Sequence, residues 1–115
     1  MTPEQYLDKQ IMIWCGEHDW LCFHCNVGKV KTSDNRYFDT GLPKGFPDLL
    51  IITNNGTTIY CETKIKPRKP SDEQKKFINN LINRNQIAFV SYNIEQFKQQ
   101  INDYYFNNNI PPLLY

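Results

Sequence analysis

No apolar run in the sequence approaches the roughly 20 residues that a membrane-crossing helix needs. The opening residues Met1-Thr2-Pro3-Glu4 lack the basic-then-apolar pattern of a secretion signal. From these two absences we expect a soluble, cytoplasmic protein with no membrane partner. Net charge is nearly absent as well: 13 basic and 12 acidic residues leave +1. Bulk electrostatics therefore makes no case for nucleic acid, and only the placement of charges can. Cysteine is sparse, at Cys15, Cys22, Cys25 and Cys61, and in a reducing compartment these read as free thiols. A zinc site drawn from Cys15, His18, Cys22, His24 and Cys25 is disfavoured, because in a strand the Cys22 and Cys25 thiols face opposite sides. No internal repeat is visible.

What is present suits one domain. The 115 residues can bury a single core, and 40% hydrophobic with 22% charged residues is an ordinary globular balance. Thr2-Pro3-Glu4-Gln5 reads as a capped helix start, with Leu7, Ile11 and Trp14 on the apolar face and Gly16 near its end. Trp20 to Val27 is rich in strand formers, and a second extended stretch follows at Arg36-Tyr37-Phe38. The polar turn Ser33-Asp34-Asn35 between them suggests a hairpin. A glycine- and proline-punctuated loop over residues 41–47 delivers the chain into the apolar strand Asp48 to Ile52. Asn54-Asn55-Gly56 then predicts an antiparallel hairpin with a strand over Thr57 to Ile65. A helix opens at Ser71 with Gln74 at the capping-box position, Ile87 to Tyr92 is a buried strand, and Asn93 caps a last helix carrying Phe97, Ile101 and Tyr104. The expected order is α-β-β-β-β-α-β-α over residues 1–106, with 107–115 an extended tail that Pro111 and Pro112 keep out of the helix.

Chemistry concentrates on the second hairpin. Alternation puts Glu62 and Lys64 on one face of their strand, and cross-strand pairing brings Asp48 close to Glu62. Two carboxylates that near repel unless a cation lies between them, and Mg²⁺ favours such oxygen ligands. A metal-assisted phosphodiester hydrolysis follows, with Lys64 placing a positive charge at the developing oxyanion or orienting the water. Each residue has a blander reading. Asp48 is a turn acid, or Glu62 and Lys64 form a surface ion pair, although the apolar Leu49 to Ile52 argues against a wet sheet. Gln74 caps its helix, serves the site, or does both. Glu4 favours the positive helix N-terminus, or lies at the edge of the inward face toward the site.

Gly45-Phe46-Pro47-Asp48-Leu49, Glu62-Thr63-Lys64 and Ser71-Asp72-Glu73-Gln74 together resemble the virus-type replication-repair (VRR-NUC) nucleases of the PD-(D/E)xK superfamily. Glu4 and Gln10 on the first helix, Asn26-Val27-Gly28 and the strand Ala88-Phe89-Val90 extend the resemblance over most of the chain. It implies an α/β restriction-endonuclease-like core, a central mixed sheet flanked by helices. It further implies Mg²⁺ or Mn²⁺ held by Asp48, Glu62 and the backbone carbonyl of Thr63, Lys64 as catalytic lysine, and Glu4 and Gln74 in the next ring. Stand-alone members look like homodimeric junction-resolving enzymes, so the resemblance points to branched DNA, in a phage- or mobile-element-like replication and repair setting. The compartment would then be a bacterial host cytoplasm. Lys66, Arg68 and Lys69 after the lysine, with Lys29, Lys31 and Lys44 in nearby loops, are candidate DNA contacts that would make affinity salt-dependent. The rivals are a sequence-specific restriction-type nuclease, a DNA-binding module of the same fold that does not cut, and an interaction protein using the Pro-Pro-Leu-Leu tail.

Overall fold

Thr2 starts the first helix by reciprocal capping. Its hydroxyl accepts the Gln5 N–H at 3.1 Å while the Gln5 side chain accepts the Thr2 N–H at 2.9 Å, satisfying two otherwise orphaned donors. In the computed structural model, which describes all 115 residues apart from the side chains of Lys29 and Val30, this helix is α1 (Pro3–Glu17). It is followed by β1 (Leu21–His24), β2 (Lys29–Lys31), β3 (Tyr37–Asp39), β4 (Leu49–Ile52), β5 (Thr58–Thr63), α2 (Asp72–Ile82), β6 (Ile87–Ser91) and α3 (Ile94–Gln100), which runs on into a π-helical turn at Ile101–Phe106.

β1, β4, β5 and β6 form one sheet in that spatial order. Its first three strands are antiparallel, while β6 joins parallel to β5 through the α2 crossover. The sheet is mixed as expected, and the order α-β-β-β-β-α-β-α holds with β2 and β3 taken together as one ribbon. The Asn54-Asn55-Gly56 turn closes β4 on β5, with Gly56 at φ +89° and the Thr53 N–H donating to Thr57 O at 2.9 Å.

One pairing differs from expectation. The stretch at Tyr37–Asp39 does not pair with residues 20–27; it pairs with Lys29–Lys31, while Leu21–His24 joins β4 across the sheet. Gly28, at φ +76°, redirects the chain just after β1, a conformation that suits glycine. Cys22, partly buried, packs against the core beneath α1, so β1 gains more from the central sheet than from a local hairpin.

The core lies on both faces of the sheet. Leu7, Ile11 and Cys15 of α1 pack with Leu49, Ile51, Ile59, Cys61, Phe89 and Phe97 on one side. On the other, Ile78 and Ile82 of α2 cover Ala88 and Val90. The last residues lie along this second cluster. Leu113 and Leu114 pack on it, and the Asn79 side chain exchanges two hydrogen bonds of 2.8 Å with the Leu114 backbone.

Candidate active site

Strand alternation sorts β5. Ile59 and Cys61 enter the cluster under α1, whereas Tyr60 packs on the α2 side, and Glu62 and Lys64 share the parity of Tyr60. Both are buried, at 0% and 6% exposure. Leu49 pairs with Cys61, so extending the register by one residue sets Asp48 against Glu62. The turn chemistry at Asn55-Gly56 therefore determines that two acids and a lysine meet at one end of the sheet.

Glu62 has one satisfied oxygen and one bare one. Its Oε2 accepts from Gln74 Nε2 at 3.2 Å. Oε1 is buried with no hydrogen-bond partner among the described residues. Burial first, then the neighbouring Asp48 carboxylate, push the Glu62 carboxyl up to about 9, against the pull of Lys64. An unpartnered buried carboxylate oxygen is costly, so this one is suited to a ligand.

Gln74 does two jobs with one carboxamide. Its Oε1 accepts the Ser71 N–H at 2.8 Å and its own N–H donates to Ser71 Oγ at 3.2 Å, the capping box, while Nε2 serves Glu62. Gly45 makes this possible. At φ +93°, it lies so close to α2 that a Cβ there would meet Glu73 O at 2.5 Å, and it thereby brings the loop leading to Asp48 against the first turn of α2.

Asp48 is held by Thr63. Its Oδ2 accepts the Thr63 N–H at 3.2 Å and lies 3.0 Å from Thr63 Oγ1. The same hydroxyl lies 2.5 Å from Asp8 Oδ1. A hydroxyl carries one proton, so two carboxylates on it need a second proton from one of them. Desolvation raises the Asp8 carboxyl, with the Thr63 hydrogen bond opposing and the nearby Asp48 charge adding to the rise. Asp8 Oδ2 also faces His24 Nε2 at 3.5 Å.

Asp8 escaped the sequence reading. Its signal was there: a carboxylate on the inward face of α1, beside Leu7 and one turn after Glu4. Glu4 itself faces the same cleft, where its Oε2 accepts from Arg68 Nη1 at 3.1 Å. That cleft, of about 470 Å³, is lined by Glu4, Asp8, His24, Asp48, Lys66 and Arg68. A second hollow of about 330 Å³ opens beyond Asp48, with Asn26, Val27, Lys44, Gly45 and Gln74 around it. No group of three or more His, Cys, Asp or Glu side chains is arranged to hold a metal ion among the described residues.

The expected DNA contacts are spread out. Lys66 and Arg68 border the first cleft and Lys44 the second, where Lys44 pairs with Glu73 at 3.3 Å. Lys31 is exposed on the β2–β3 ribbon. Lys69 instead lines a separate groove with Tyr92, Gln96 and Leu114, away from Asp48. The Lys29 side chain lies outside the described residues.

Among known proteins, the family model of the VRR-NUC domain matches residues 1–93. A solved structure described as a VRR_NUC domain has a TM-score of 0.69 and 23% identity, covering 91% of this chain and 100% of its own; it shows a common fold. No curated protein matches the chain. Because the family model covers the stretch from Glu4 through Asp48, Glu62, Lys64 and Gln74, the chain belongs to the VRR-NUC domain family, a family of nucleases.

Proposed function

We propose that this chain hydrolyses DNA phosphodiester bonds with a divalent cation, Mg²⁺ or Mn²⁺, held by Asp48, Glu62 and the backbone carbonyl of Thr63. The observation that carries this reading is the bare, buried Oε1 of Glu62, a hard oxygen donor beside a second carboxylate. Magnesium is commonly bound through one or two carboxylates with water completing its shell, so the lack of a third acidic ligand suits it. When bound, the cation would supply Lewis acidity toward the phosphate and an activated water.

The side chains do the rest. Lys64, buried beside Glu62, holds a positive charge where the phosphoryl oxygens gain negative charge, and it works in a low-dielectric surrounding where a fixed charge counts for more. Gln74 orients the Glu62 carboxylate. Thr63 fixes Asp48 by its backbone N–H and its hydroxyl. Glu4 holds Arg68 at the cleft, where a guanidinium and Lys66 can meet the DNA backbone, with Lys44 and Lys31 extending the track. A branched substrate and a homodimer are part of the proposal, on the strength of the resemblance to stand-alone members of the family.

The test is a panel of labelled four-way junction, flap and plain duplex DNA incubated with Mg²⁺, Mn²⁺ or chelator. Cleavage that needs the metal, favours the junction and disappears in Glu62→Ala is the expected result. Cleavage undiminished by chelator or by Glu62→Ala would overturn the site assignment.

A further inference from the structure

The β2–β3 ribbon stands apart from the rest of the chain. Its strands pair with each other, and neither packs substantially against another element among the described residues. It nonetheless carries two adjacent aromatics, Tyr37 and Phe38, that are 65% and 52% exposed. A two-stranded ribbon has no core of its own to bury them in, so both rings are left open to a partner.

The arrangement is two-sided. Consecutive strand residues point to opposite faces, so Tyr37 lies on one face and Phe38 on the other. The register puts Lys31 across from Tyr37, and Arg36, two residues before Phe38, shares the face of Phe38. Among the described side chains, each face thus holds one aromatic and one cation, with Asp39 on the face of Tyr37. Arg36 rests on Asp34 at 3.3 Å, both exposed, a pair weak enough for a phosphate to displace. A protein partner would cover one face; a blade with a stacking ring and a cation on each side fits between bases, with phosphates outside.

The root of the ribbon lies at the candidate active site. Cys25 N donates to Asp48 O at 2.7 Å, and Thr40 N closes on Gly28 O at 2.8 Å, so the two ends of the ribbon are joined to each other and the chain entering it is tied to the residue just before β4. Asn26 and Val27 line the hollow beside Asp48 and Gln74.

We infer that the β2–β3 ribbon is a branch-reading blade, whose Tyr37 and Phe38 stack on unpaired bases of DNA while Lys31 and Arg36 meet the flanking phosphates. The inference rests on the DNA-cutting reading above, and names what lets the enzyme prefer a branch over plain duplex. Base stacking on aromatic side chains is sequence-tolerant, which suits recognition of a shape.

The experiment uses the full chain in Ca²⁺, so that binding is read without cleavage. The probe is a three-way DNA branch with 2-aminopurine at unpaired positions beside the branch point, against a blunt duplex of equal length. The wild type is expected to alter the 2-aminopurine fluorescence. Tyr37→Ala/Phe38→Ala is expected to lose that change and to bind the branch on the order of tenfold more weakly or worse, with duplex binding and cleavage of plain duplex in Mg²⁺ retained. Tyr37→Trp/Phe38→Trp should restore branch binding. Unaltered circular dichroism shows that the double variant is folded. An unchanged fluorescence response, an equal loss on both DNAs, or a fall in solution mass marking an interface between two copies would each overturn the inference. The two readings fail separately: a chain that never cuts but still binds branches through these aromatics defeats only the nuclease proposal. Branch-selective cutting that ignores the double substitution defeats only the blade.

Discussion

Gln74 donates its side-chain N–H to Glu62 at 3.2 Å while the oxygen of the same carboxamide caps its own helix. Function and stability are joined in one side chain, and substitution can separate them. Gln74→Glu keeps a capping-box residue but turns a carboxylate toward Glu62. It should leave the Tm nearly unchanged while slowing cleavage roughly 10- to 100-fold, the usual cost of disturbing a group that orients a metal ligand. Gln74→Ala should also lower stability, by about 1 kcal/mol. Paired thermal melts and initial rates decide it, and wild-type cleavage by Gln74→Glu would leave the Glu62 bond without a catalytic part.

Acid and metal should act on stability through Glu62. Its folded-state carboxyl is raised from the ordinary range to about 9, by burial first and Asp48 second. The fold therefore favours the protonated form. Its contribution is fully present below about 4.5 and is lost as pH rises through about 9. Asp8, raised mainly by desolvation, has the same sign. The metal-free protein should show a Tm that falls between about pH 5 and pH 9. Glu62→Gln should flatten the slope, and added Mg²⁺ should offset the fall, because its binding competes with the proton. A rising metal-free Tm over that window would contradict the assignment.

Lys64 is tested best by a side chain that keeps its bulk. Lys64→Met preserves the packing of a long, unbranched chain in a buried place and removes the charge beside Glu62. We expect kcat to drop by about 10²- to 10³-fold, with DNA affinity in Ca²⁺ little altered. A drop confined to affinity would move Lys64 from the reacting phosphate to simple DNA binding.

The Thr63 hydroxyl serves two acids at once. Thr63→Val takes the hydroxyl from buried Asp8 and leaves half-buried Asp48 only the backbone N–H, and should cost roughly 1–3 kcal/mol. Asp8→Asn should be better tolerated, since an amide N–H can supply the proton that the pair of carboxylates needs. Denaturant melts of the two variants measure the order; Asp8→Asn as the more damaging change would mean that Asp8 is needed as an anion.

Gly45 combines a positive φ with backbone contact against Glu73. Gly45→Ala should destabilise the chain by about 1–3 kcal/mol and lower cleavage further than stability alone explains, because Asp48 lies three residues on. Cleavage rates compared well below the Tm of both proteins separate the two effects.

Much of this site was legible because it depends on local rules. Strand alternation places Glu62 with Lys64, the Asn55-Gly56 turn sets the register that brings Asp48 to them, and the capping box fixes Gln74. The failures were non-local. Nothing near residues 20–27 says that β1 will pair with β4 instead of with the next extended stretch, because that choice depends on core burial under α1. Asp8 was passed over for a related reason: a helix acid looks ordinary until the strand bearing Thr63 packs beside it. Among the basic residues, proximity in sequence misled at Lys69, which Pro67 and Pro70 carry around the edge of the domain to another groove.

The two bonds between Asn79 and the Leu114 backbone imitate a neighbouring strand, with a carboxamide standing in for a peptide unit. They fasten the final residues across the helix whose opening turn steadies Glu62. A chain cut short before Leu113 would bare the oily flank of that helix, so clumping in solution should set in ahead of any chemical defect.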